Sequence, residues 1–121
     1  MKTINLVKPD DWHLHLRSGP AMRSVVGMSA AQMGRAVIMP NLLPPIKSTS
    51  QALAYRAEIM GALPSGLSFS PLMTLYLTDK TTIKDIESAA TEPNIIAVKF
   101  YPAGATTNSQ GGVTSIEKIS P

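Results

Sequence analysis

Arg35-Ala36-Val37-Ile38-Met39-Pro40-Asn41 is a short apolar run with branched residues that stops at a proline. It predicts a buried strand over 35–39, and the sequence changes period on both sides of it. Upstream, Met22, Val25, Val26 and Met33 recur at helical spacing, predicting a helix across Ala21 to Met33 after the Gly19-Pro20 break. Downstream, Leu42-Leu43-Pro44-Pro45 is a stiff loop that continues neither regular element. Thr49 can then cap a helix over Ser50 to Ala62, with Ala52, Leu53, Ile59 and Leu63 as its apolar side.

One step further out lie two more strand candidates. Asp11-Trp12-His13-Leu14-His15-Leu16-Arg17 alternates with period two, and Leu67 to Leu77 supplies another strand, best over 72–76 because Pro71 lacks a ladder donor. Thr82-Ile83-Lys84-Asp85 has capping-box spacing and predicts a helix to about Ala90, with Ile83, Ile86 and Ala90 facing inward. Ile95 to Tyr101 is the fourth strand. The segment from Pro102 to Gly112 has no periodicity and reads as a mobile loop, after which Ser115 to Ile119 resumes helical spacing.

Repeated strand-helix units predict a parallel sheet with right-handed crossovers. Four such units are half of an eight-unit barrel, which typically takes about 250 residues. The expected fold is therefore α/β, the N-terminal half of a (β/α)8 TIM barrel, with residues 1–121 forming one partial domain that is incomplete at its C-terminus. A small open sheet, complete in itself, would satisfy the same periodicity.

The chain has 121 residues, no cysteine and a formal charge of +3 from scattered lysines and arginines. These features exclude a disulfide framework and any Cys-ligated metal site, and they argue against nucleic acid as a partner. No apolar run approaches membrane-spanning length, and the N-terminus is too short in apolar residues for a secretory signal, so a cytoplasmic protein is expected.

Chemistry concentrates at the predicted strand ends, where parallel α/β folds bind ligands. In the first strand, His13, His15 and Arg17 share one face, with same-face neighbours about 6.5 Å apart. Two neutral imidazoles at that spacing can tilt onto one ion, and the arginine suits an anion. An exposed edge strand with two unrelated histidines is the alternative. Asn41 ends the second strand, as a ligand contact or a backbone turn. Lys99 sits in an apolar run, where it can snorkel to solvent or serve as a nucleophilic amine open to carbamate formation.

These blocks carry a specific likeness. The stretches Asp11 to Arg17, Val37 to Leu42, Val98-Lys99-Phe100-Tyr101-Pro102-Ala103, and Ala105 to Ser109 followed by Gly112-Val113-Thr114-Ser115 closely resemble the N-terminal part of the single-domain, bacterial-type dihydroorotases of the amidohydrolase superfamily. The resemblance implies a barrel with two Zn2+ ions per complete site. It makes His13 and His15 ligands of the more buried ion and Lys99, as N6-carboxylysine, the bridge. Arg17 and Asn41 would hold the substrate carboxylate, Thr106 and Thr107 would belong to a loop that closes over substrate, and Tyr101 would support the lysine region.

The implied activity is that of a zinc-dependent cyclic amide hydrolase of pyrimidine biosynthesis. It would interconvert N-carbamoyl-L-aspartate and L-dihydroorotate as a homodimer of the complete protein. The family's acid/base aspartate and later zinc ligands have no counterpart here, so no catalytic residue is assigned within this segment and the isolated chain is expected to be inactive. The alternatives are a related cyclic amidase such as a hydantoinase, a non-catalytic half-barrel that associates with another chain, and a simple metal-binding domain.

Overall fold

A computed structural model describes residues 1–119; Ser120 and Pro121, the end of the expected 1–121 domain, lie outside the described residues. The elements alternate as β1 (Asp10–Leu14), α1 (Gly19–Gln32), β2 (Arg35–Ile38), α2 (Thr49–Gly61), β3 (Ser70–Tyr76), α3 (Ile83–Ala90) and β4 (Ile95–Lys99), followed by a single 3-10 turn at Ile116–Lys118. All three strand pairings are parallel and the sheet order is β1-β2-β3-β4, as repeated strand-helix units require.

The core lies between this sheet and its helices. Leu16, Met22, Val26 and Ala30 pack with Ala36 and Ile38 of β2, Ala52, Tyr55 and Ile59 of α2, and Met73 and Leu75 of β3. Pro71 is tolerated within β3 because it pairs with Ala36 of β2, and pairing to β4 begins only at Met73.

Several local expectations are corrected. Strand β1 ends at Leu14 and β4 at Lys99, two or three residues short of the periodic runs. In β1 the register to β2 shifts between Asp11 and Leu14, and Arg17 then turns the chain with φ +64°. Helix α2 is capped by Ser48, not Thr49: the Ser48 hydroxyl accepts from the Gln51 amide and the Gln51 side chain accepts from the Ser48 amide. Tyr55 takes the inward place expected of Leu53, which faces out. In α3 the capping box of Thr82 and Asp85 forms as expected, yet Ile83, Ile86 and Ala90 are exposed and Ala89 is the residue buried. The hundred-degree step per residue leaves one face of so short a helix to meet the sheet, and the small residue allows the closer approach.

Candidate metal and substrate site

The end of β1 brings the two histidines together. Their rings tilt at 42° with centroids 5.0 Å apart, and the two Nε2 atoms stand 3.1 Å from one another. That separation is the span of two neighbouring donors about one ion with metal–nitrogen bonds of about 2.0–2.1 Å, so the pair fits a zinc-type ion. His13 lies on the exposed part of β1, with its backbone N–H donating to Asp11 Oδ1 at 2.9 Å. Partial burial pushes the His15 pKa down, reinforced by the positive groups of His13, Arg17 and, more weakly, Lys99; the Asn41 amide opposes this. The neutral ring so favoured is the form that ligates metal. Among the described residues no set of three His, Cys, Asp or Glu side chains converges on a common point.

Arg17 is exposed and held in the left-handed region, where non-glycine residues are uncommon. Its carbonyl accepts a hydrogen bond from the Tyr55 hydroxyl, which ties this turn to α2. The next turn, at Gly19, also has positive φ, so Arg17 stands on a short, sharply folded link between β1 and α1.

Asn41, just past β2, is buried, and its Nδ2 donates to the Thr107 carbonyl at 3.1 Å. Lys99, at the end of β4, is half-buried with its Nζ 5.3 Å from the centre of the Tyr101 ring. Tyr101 in turn stacks on Tyr76 at a centroid distance of 5.2 Å, and its buried hydroxyl has no hydrogen-bond partner among the described residues. Burial raises the pKa values of both tyrosines, so each stays a protonated donor at neutral pH.

The segment after β4, expected as a mobile loop, is a built turn. Ala103 N–H donates to the Val113 carbonyl at 3.0 Å and Val113 N–H to the Tyr101 carbonyl at 2.8 Å, closing the loop at its feet. Inside it, the fully buried Ser109 hydroxyl donates to the Thr106 carbonyl and accepts from the Thr106 amide. Gly112 passes so close to Tyr101 that a Cβ there would lie 2.3 Å from the Tyr101 carbonyl oxygen. Periodicity cannot register such bonds, because they run between side chains and backbone within a few residues. The side chains of Thr106 and Thr107 are exposed.

His13, His15, Arg17, Asn41 and Lys99 therefore gather at one end of the sheet, with the Thr106–Thr107 turn beside them. Tyr55, Tyr76, Asn108 and Ser109 also shape this region, and the sequence reading gave none of them a role, although Asn108 and Ser109 belong to a block that carries the resemblance. Of the other two, Tyr76 carried a visible signal, as a polar-tipped residue ending a predicted strand. A separate polar cleft of about 580 Å3, lined by residues including Lys47, Asp79, Lys80 and Gln110, contains none of the expected site residues.

Over all 121 residues the chain is 57% identical to a dihydroorotase from Azoarcus sp. (strain BH72), covering 100% of this chain and 35% of that protein. The chain matches the dihydroorotases along its whole length. A Neisseria meningitidis dihydroorotase is likewise 57% identical over 121 residues, with 35% of it covered. Among solved structures, the dihydroorotase of Campylobacter jejuni superposes with a TM-score of 0.84 at 41% identity, over 94% of this chain and 33% of that one. The Saccharomyces cerevisiae dihydroorotase, crystallised with 5-fluoroorotic acid, gives 0.83 at 34% identity over 93% and 31%. No protein-family model matches. The chain thus spans about a third of the length of these dihydroorotases, and its alternating parallel units match part of a (β/α)8 barrel.

Proposed function

We propose that this chain forms the N-terminal, metal-binding part of a zinc-dependent dihydroorotase that interconverts N-carbamoyl-L-aspartate and L-dihydroorotate. The observation that carries the reading is the match to dihydroorotases at 57% identity over every residue of the chain. The convergence of the His13 and His15 Nε2 atoms to 3.1 Å supports it independently.

In this reading His13 and His15 would hold zinc, and Lys99, as N6-carboxylysine, would add a carboxylate ligand. When bound, the ions supply Lewis acidity toward the amide carbonyl. Arg17 pairs with the substrate carboxylate through its planar fork, and Asn41 adds an amide contact; together they fix the ring relative to the histidines. The Thr106 and Thr107 hydroxyls close over the substrate and exclude water. Tyr101 supports Lys99 through the face of its ring. The substrate is a small molecule, and the complete enzyme is a cytoplasmic homodimer with no nucleic acid or membrane partner. No helix of the described residues is long and apolar enough to cross a membrane.

The test is an assay of both reaction directions, with zinc and bicarbonate, on the complete protein that contains this chain. Turnover in both directions is expected, together with density for a carboxylate beyond Lys99 Nζ and its added mass under native conditions. Hydantoin turnover without dihydroorotate turnover would overturn the assignment. The 121-residue chain alone is expected to be inactive, because its described residues offer too few ligands for two ions. A second reading, a non-catalytic module that associates through β4, is favoured by the exposed Ile96 of β4, which lines one shallow hollow with the exposed Ile86 of α3. Metal-independent assembly of the complete protein without any turnover would establish it.

A further inference from the structure

We propose that Asn108 and Tyr76 are positioning residues that hold the Thr106–Thr107 turn against Asn41, so that one buried amide engages both the loop and the substrate. The inference rests on the dihydroorotase reading for its kinetic consequence and on hydrogen bonding alone for the latch itself.

Three bonds define the latch. Asn41 Nδ2 donates to the Thr107 carbonyl at 3.1 Å, and Asn108 Nδ2 donates back to the Asn41 carbonyl at 3.2 Å, so the two asparagines exchange amide-to-backbone bonds between β2 and the loop. The Tyr76 hydroxyl, from the end of β3, donates to the Asn108 carbonyl at 3.2 Å. Asn108 sits at φ +56°, a conformation that asparagine tolerates better than other residues with a side chain. In that turn its amide engages Asn41, just past β2, while its carbonyl engages Tyr76 at the end of β3.

Asn41 and Tyr76 are 2% and 1% exposed, so water cannot readily replace the bonds they make. An amide nitrogen has two hydrogens and an amide oxygen two lone pairs, so with the loop on one N–H and His15 beside the oxygen, Asn41 keeps one N–H and one lone pair for a ligand. Loop and substrate thus meet at one side chain. Holding the loop in place before substrate arrives raises the fraction of molecules competent to bind, which lowers the apparent KM without changing the chemical step.

The test uses the complete enzyme with three separate substitutions: Asn108→Asp, which removes the donor; Asn108→Gly, which keeps the backbone turn and removes the amide; and Tyr76→Phe, which removes only the hydroxyl. Each is expected to raise KM for dihydroorotate by about tenfold, with kcat near wild type and zinc content unchanged. Each is also expected to speed hydrogen exchange at the amides of Thr106 and Ser109 in ligand-free protein. An unchanged KM in folded Asn108→Gly and Tyr76→Phe proteins overturns the proposal, whatever the exchange shows. Should wild type not turn over dihydroorotate at all, the dihydroorotase reading fails instead; the exchange rates then decide the latch alone, faster exchange upholding it and unchanged protection overturning it.

Discussion

The three α-helices of the described residues begin in two different ways. Helices α2 and α3 start on full capping boxes, Ser48 with Gln51 and Thr82 with Asp85, in which side chain and backbone satisfy each other's orphan groups. Helix α1 starts on Ser18, whose side chain makes no cap bond and which lies between Arg17 and Gly19 with φ of +64° and +57°. The capped starts belong to the scaffold, whereas the uncapped, strained start carries the arginine beside the histidine pair. Local sequence and local structure agree where the chain only has to fold, and part company where a side chain has to be aimed.

That contrast can be tested from its strongest side downward. In the complete enzyme, His15→Ala should abolish zinc retention in that site and lower turnover by more than about 100-fold, since even residues supporting a ligand are worth about 10–100-fold. Metal analysis alongside kinetics checks this, and an active, zinc-replete variant would detach the pair from the chemistry. Arg17→Met should leave zinc content intact and cost about 2–3 kcal/mol in kcat/KM, the worth of a hydrogen bond to a charged group. Arg17→Gly should lose the same recognition yet raise thermal stability by about 1 kcal/mol, because glycine accepts the left-handed backbone at no steric cost. A drop in Tm for that variant would mean that the turn is not strained.

Gly112→Ala tests the loop. The added methyl would meet the Tyr101 carbonyl oxygen at 2.3 Å, backbone against backbone, and should destabilise by about 1–3 kcal/mol. The smallest effects concern the helix starts themselves. Ser48→Ala and Thr82→Ala should each cost about 1 kcal/mol with no change in KM, whereas Ser18→Ala should stay within about 0.5 kcal/mol because no cap bond is lost.

Thr82→Ala carries a pH signature as well. Hydrogen bonds from Thr82 hold the Asp85 carboxyl below its ordinary value of 3.8. A group depressed in this way stabilises the fold above its unfolded pKa and loses that contribution as pH falls through the folded one. The wild-type Tm should therefore fall with acid from about pH 4 downward, and the variant's acid limb should be shallower.

The repeating architecture was legible in the sequence because each unit announces itself twice, by a change of period and by a stop signal such as Pro40-Asn41 or Pro93-Asn94. The candidate site residues stood out as polar groups at predicted strand ends: His15 and Arg17 ahead of Gly19-Pro20, Asn41 after Pro40, and Lys99 ahead of Pro102. What escaped was decided by contacts between units. Leu53 and Tyr55 are both plausible inward residues on α2, and only the position of the Arg17 carbonyl, across the core, favours the tyrosine. Ser48 and Thr49 are both good caps; Ser48 wins because Gln51 lies three residues on, while the Thr49 hydroxyl is engaged by Ser88 of α3. The segment from Pro102 to Gly112 looked structureless because its order comes from Ser109, Asn108 and Gly112 acting at separations no period describes.

Because the two feet of that loop are bonded to each other at Ala103, Val113 and Tyr101, the residues between them form a ring whose closure cost is met locally. A ring of this kind is modular. The exposed Thr106 and Thr107 side chains could be exchanged without moving the turn, because Ser109 and Asn41 hold those two residues by their backbone groups. The tip would then be refitted while the strand end beneath it stays in register.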